Sequence, residues 1–187
     1  MKQVILTFLC LFFAAPALAQ AGDPAAFQFA MPGVRAPDNP RVSGFRLSFL
    51  QGKNVDMSGL DFGLLSMSET KNRSGLSLIF GVSKTTGRST GCNGGLIVTH
   101  DGEASGLNAA FINRVRTIKT GANLGFINIT DGFSSMDISG VGISNRSNVQ
   151  LGFVNITKTI DSFQFGFLNI AENGFLPVFP IFNFPKN

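Results

Sequence analysis

Residues 123–130 read NLGFINIT, and the fold turns on how this stretch is read. It returns as VQLGFVNIT at 149–157 and as FQFGFLNIA at 163–171. Around the central Gly125, Gly152 and Gly166 the pattern alternates with period two. Leu124 and Phe126, Leu151 and Phe153, and Phe165 and Phe167 fall on one side. The glycines and the preceding Asn123, Gln150 and Gln164 fall on the other. Strands place successive side chains on opposite faces, whereas a helix would show a 3.6-residue period and would be weakened by a glycine at the middle of each unit.

Working outward, looser copies begin at Gly44, Gly59, Gly75, Gly91, Gly106, Gly121, Ser139, Asn148 and Ser162. Their fifth positions are Ser48, Gly63, Ile79, Gly95, Ala110, Gly125, Gly142, Gly152 and Gly166, at successive steps of 15, 16, 16, 15, 15, 17, 10 and 14. A large apolar residue follows each: Phe49, Leu64, Phe80, Leu96, Phe111, Phe126, Ile143, Phe153 and Phe167. The later units close on Asn113, Asn128, Asn145, Asn155 and Asn169, which suit turns because asparagine tolerates left-handed backbone. The expectation is therefore an all-β repeat fold.

Two architectures carry such a repeat. The favoured one is an antiparallel meander of about nine to ten short strands curled into a small barrel. The alternative is a parallel β-solenoid with one unit per rung, in which Phe, Gly and Asn would each stack in ladders. The step of 10 between Gly142 and Gly152 weighs against a rung of fixed perimeter. On either reading Phe126, Phe153, Phe165 and Phe167 are expected to leave water, into a core or into lipid.

The start of the chain is of a different kind. Lys2 precedes an uncharged apolar run from Val4 to Ala15, and Ala17-Leu18-Ala19 supplies small residues for cleavage before Gln20. Residues 1–19 read as a secretory signal peptide, too short for a membrane span and ended by Pro16. Cys10 lies within the apolar run behind bulky Leu9, which excludes a lipoprotein site and leaves Cys92 as the one cysteine of the exported chain. Cys92 is expected to be a small buried residue. Residues 20–41 form a Pro/Ala-rich lead-in, and 42–184 form the β-repeat domain. Pro177, Pro180 and Pro185 restrict the end of the chain to an edge strand or a plug.

The terminal residues 176–184, LPVFPIFNF, together with the repeats, resemble a family of exported bacterial repeat proteins. Members of that family carry Gly-Leu-Gln-Ile-Gly-Leu-Ile-Asn units and a closing Leu-Pro-x-x-Pro-Ile-x-Asn-Phe element. The opening pair GFRLSFLQGKN and GLDFGLLS looks like the first two repeats of that family. The resemblance covers 42–184 and implies an envelope location, with no catalytic residues to carry over.

Residues that could carry chemistry are few. His100 stands beside Asp101, Glu103 and Ser105, but neighbours on a strand point apart, so a solvated turn is expected. Asp131 and Asp137 are too few and too far apart for a calcium loop. Gly140-Val141-Gly142 lacks the third glycine of a dinucleotide loop. Asn128 and Asn155 match a glycosylation pattern only because the repeat creates it. Removing Lys2 leaves fourteen basic against eleven acidic residues, a net charge of +3. The cations are scattered, and the one cluster, Arg114, Arg116 and Lys119, reads as a loop, so nucleic acid is not an expected partner.

No catalytic, cofactor-binding or metal-binding residue is assigned, and no cofactor is expected. The function read from the sequence is that of a non-catalytic structural or interaction protein at the outer membrane or cell surface. Its partners would be outer-membrane lipid or another envelope protein. A small pore, lined by Asn108, Asn123, Gln150 and Gln164, and a soluble periplasmic binding module are the alternatives. The absence of Tyr and Trp speaks against a membrane barrel, which carries them at its interfaces.

Overall fold

The computed structural model describes residues 23–186, so the signal peptide lies outside the described residues. The described chain is a β-solenoid. Strand β1 (Ala25–Met31) and β2 (Val34–Ala36) form an antiparallel pair at one end. Two very long winding strands follow, β3 (Arg41–Thr85) and β4 (Ser89–Ala171). The last strand, β5 (Val178–Asn183), closes the other end. The sheet order is β2-β1-β3-β4-β5, with β1, β3 and β4 parallel and only the two outermost strands antiparallel. The antiparallel meander and the barrel are therefore corrected, and the parallel solenoid stands.

The register shows why. Arg73 pairs with Ser89 and Ile79 with Gly95, a step of 16, and after a bulge Val82 pairs with Ile97 and Thr85 with His100, a step of 15. Each repeat therefore lies on the one before it, one turn of the coil per repeat. The glycines that open the first six units make that stacking possible. Gly44, Gly59, Gly75, Gly91, Gly106 and Gly121 have φ between 104° and 144° and stand in one column. A Cβ on any of them from Gly59 onward would lie 1.9–2.3 Å from the carbonyl oxygen of the glycine below. Only glycine takes that backbone conformation without strain while leaving the oxygen room.

The step of 10 came from a slipped register. Gly152 sits over Ser139, not over Gly142, and Gly166 sits over Gly152. The slot thus runs Ala110, Gly125, Ser139, Gly152, Gly166, at steps of 15, 14, 13 and 14. Gly142 stands beside Gln150 and Asn155, where the neighbouring rungs place Asn128 and Asn155. Rungs shorten slightly toward the C-terminus, from steps of 16 and 15 to steps of 13 and 14.

Part of the lead-in is built into the coil. In β1, Phe27 pairs with Phe45 and Phe29 with Leu47, so 25–31 adds a strand beneath the first repeat. At the other end β5, with Pro180 inside it, runs antiparallel along 164–170, the edge-strand outcome that proline permits.

Candidate interaction surface

The side chains that fill the coil are mostly polar. One interior column runs Arg46, Asp61, Ser77, Asn93, Asn108, Asn123, Asp137, Gln150 and Gln164, each no more than 3% exposed. Asn93 donates to Asn108 Oδ1 at 3.0 Å, Asn108 to Asn123 Oδ1 at 2.9 Å, and Asn123 to Asp137 Oδ1 at 3.0 Å. Gln164 donates to Gln150 Oε1 at 2.7 Å. A stacked amide donates to one neighbour and accepts from the other, so the ladder satisfies groups that would otherwise be costly to bury. A second column carries Asn113, Asn128, Asn155 and Asn169. Asn113 donates to Asn128 Oδ1 at 2.9 Å, and Asn155 to Asn169 Oδ1 at 2.8 Å. These asparagines were expected to end strands in turns; instead they brace the interior of corners, Asn113 also reaching Leu124 O and Asn155 Phe165 O. Asn145 alone of that set is exposed. Burial of Asn128 and Asn155 removes them as glycan acceptors.

Near the N-terminal end the ladder becomes ionic. Arg46 and Arg73 share Asp61, with Arg46 Nε 2.8 Å from Oδ1 and Arg73 Nη2 3.2 Å from Oδ2. Ser68 and Thr70 accept from both guanidinium groups. Burial pushes the Arg73 guanidinium down to about 10, against the pull of Asp61 and with a smaller push from Arg46. Two buried guanidinium groups thus depend on one carboxylate. Nothing in the sequence pattern distinguishes them from surface residues, because the same column carries mostly amides in later rungs.

The residues considered for chemistry do not converge. His100 is buried, not in a solvated turn; its Nε2 is 2.8 Å from Asn108 Oδ1 and burial pushes its pKa down to about 4. Asp101 faces outward to Lys84 at 3.4 Å, and Glu103 faces Lys119 at 2.9 Å. Asp131 lies outside beside Arg114 while Asp137 is buried, and burial pushes the Asp137 carboxyl up. Arg114 and Lys119 are thus each matched to an acid on another rung, and no cationic patch forms from the cluster. Asn108, Asn123, Gln150 and Gln164, the residues that would line a pore, are packed against one another with no lumen between them. Cys92 is exposed, a further correction.

Small clusters of aliphatic residues, among them Met57, Val115 and Ile118, are buried beside the polar columns, whereas none of the described phenylalanines is. Strand alternation puts three columns on one outer strip, and through nine successive rungs none of their positions is charged. The first runs Phe45, Leu60, Leu76, Cys92, Leu107, Ala122, Met136, Val149 and Phe163. The second holds Leu47, Phe62, Leu78, Gly94, Ala109, Leu124, Ile138, Leu151 and Phe165. The third is Phe49, Leu64, Phe80, Leu96, Phe111, Phe126, Gly140, Phe153 and Phe167, whose large side chains are 39–70% exposed. Phe126, Phe153, Phe165 and Phe167, expected to leave water, are at least 55% exposed in the single chain. Phe111 stacks on Phe126 at 5.2 Å and Phe153 on Phe167 at 5.0 Å, nearly parallel in both pairs. Gly140 interrupts the aromatic column, with the Phe126 ring leaning against it. Below that gap opens a groove of about 680 Å³, lined by Leu124, Ile138, Leu151, Phe153, Phe165 and Phe167 among others.

Elsewhere the outer surface carries ion pairs across rungs, Lys53 with Glu69, Lys84 with Asp101, Glu103 with Lys119, and Arg146 with Asp161, among scattered exposed apolar residues such as Leu65 and Met67. The coil is thus amphipathic inside out, with amides at the centre, ion pairs on one side and an aromatic strip on another. No protein-family model matches the chain, and comparison with curated proteins and with solved structures gives no significant match.

Proposed function

We propose that this chain is a non-catalytic exported protein of a bacterial envelope, with a structural or interaction role at the outer membrane or cell surface, and that the aromatic strip is its working surface. The observation that carries this reading is the run of exposed Phe and Leu from Phe49 to Phe167, broken at Gly140 alone. Apolar patches on monomeric proteins rarely exceed a few hundred Å², and larger ones mark surfaces that meet another molecule. The signal-like N-terminus and the resemblance to exported repeat proteins support the location. Burial of His100 in neutral form, away from Asp101 and Ser105, supports a role without catalysis.

The groove below Gly140 supports a second reading, a periplasmic module that takes one apolar ligand there. Cell fractionation with N-terminal sequencing tests the first reading. The expected result is envelope-associated protein that starts at Gln20 or within a few residues of it. A chain with intact Met1 in the cytosol would refute it.

A further inference from the structure

We infer that the aromatic strip is covered by a second copy of this chain, the two coils packing face to face about a twofold axis. The inference rests on the reading of that strip as the working surface, and it names the occupant.

Area is the first argument. The interior ladder from Arg46 to Gln164 marks eight steps between rungs, and at about 4.8 Å each they give a strip about 38 Å long. The outer positions of one rung span four residues plus side-chain reach, about 17 Å. The strip therefore offers about 650 Å² per copy, or about 1,300 Å² in a pair, within the range of about 1,200–2,000 Å² for stable complexes.

Shape is the second. The strip is a parallel sheet face on which large side chains repeat at every rung, and two such faces pack about 10 Å apart with their side chains interdigitated. Gly140 and the groove beneath it break the aromatic column, so a facing ring has a hollow to enter. A twofold arrangement sets the same strip against itself, which needs no second specialised surface.

Chemistry is the third, and it separates a second copy from lipid. Surfaces that rest in lipid headgroups carry Trp and Tyr and a basic rim. This chain has neither Trp nor Tyr. Lys53, Lys84, Lys119, Arg114 and Arg146 each face a carboxylate on another rung. The ends argue for closure at two. The sheet ends on β2, three residues long, and on β5, which carries Pro180, so neither edge offers a long template on which rungs of another copy could continue the coil.

The test is sedimentation of the purified, detergent-free chain from Gln20 onward over a range of concentrations, with thiol labelling of Cys92, its one cysteine. The wild type is expected to sediment as a dimer, and Cys92, on the strip, to label slowly until dilution separates the copies. Phe126→Lys with Phe153→Lys is expected to raise the dissociation constant more than about a hundredfold, because two central aromatic anchors are lost. The circular dichroism spectrum of that variant should stay at the wild-type form, since both rings lie outside the coil, and its urea midpoint should fall only to that of the diluted, dissociated wild type. Lys84→Gln, on the charged side, should leave the dimer intact. A wild type that stays monomeric overturns the inference. Flotation with phosphatidylglycerol vesicles then separates the cases: a monomer that floats keeps the strip as the working surface with lipid as its occupant, and one that does not removes both readings. A dimer unaffected by the double lysine variant, or an open-ended polymer, also overturns it.

Discussion

Gly106→Ala asks whether the coil depends on carbonyl oxygens pressed against a column of glycines. A Cβ at this position would lie 2.0 Å from Gly91 O and 2.8 Å from Gly91 C. Comfortable contact needs about 3.5 Å, so the rungs would have to part by more than about 1 Å, which breaks hydrogen bonds on both sides. The backbone at Gly106 has φ of +115°, a conformation that an L-residue occupies only under strain. The conformational cost is about 1–3 kcal/mol. Overpacking adds about 1–3 kcal/mol. The total, about 2–6 kcal/mol, is a large share of the 5–15 kcal/mol typical of a folded domain. Gly33 supplies the control: its φ is +73°, but nothing lies within 4 Å of the position of a Cβ. Gly33→Ala should therefore cost only the conformational part, about 1–2 kcal/mol. Urea titrations followed by circular dichroism would compare midpoints at equal slope. A Gly106→Ala chain no less stable than Gly33→Ala would refute the stacked-glycine account of the fold.

Asp61→Asn leaves Arg46 and Arg73 buried without their shared counter-charge, and a loss of about 3–5 kcal/mol, or failure to fold, is expected by thermal melting. For His100 the unfolded chain takes up a proton before the folded one does, because burial holds the folded pKa near 4 against an ordinary 6.5. Its contribution is therefore complete above pH ~6.5 and falls as the pH drops toward 4, by up to about 3 kcal/mol in all. His100→Asn should flatten that part of the acid limb in urea titrations at stepped pH. The buried Asp137 carboxyl has a raised pKa, so its protonated form suits the fold, and that stability is lost as pH rises through the folded pKa. Asp137→Asn should accordingly raise the urea midpoint at pH 7 while keeping the acceptor for Asn123, with a gain that shrinks in acid.

Much of the strand pattern was legible. Alternation around Gly125, Gly152 and Gly166 separated a Phe face from a Gly face, and the repeat starts from Gly44 to Gly121 are the glycines that stack. Which face lies inside was harder to read, because the habit of placing apolar residues in the core fails in so narrow a coil. A rung of about fifteen residues has room for stacked planar amides and a few aliphatic side chains, and none for a column of phenylalanine rings. The slip at Gly142 arose because Ser139, three residues earlier, fills the slot as well as glycine does. The burial of Arg46, Asp61 and Arg73 had no local signal; for Arg46 and Asp61 it follows only from their place in a column that Asn123 and Gln150 define, and Arg73 lies in the neighbouring column of Ser89.

The shift from ions to amides along the interior bears on how such a chain can grow. A duplicated copy of residues 106–120 would set asparagine on asparagine and glycine on glycine at both new junctions, and the molecule would lengthen by one step of about 4.8 Å. The same duplication around Arg46 or Asp61 would stack like charges in a sealed interior. Lengthening by tandem copying is therefore open to the middle of the chain and closed to its N-terminal end. Relatives of different length should differ in the number of neutral rungs and share one ionic end.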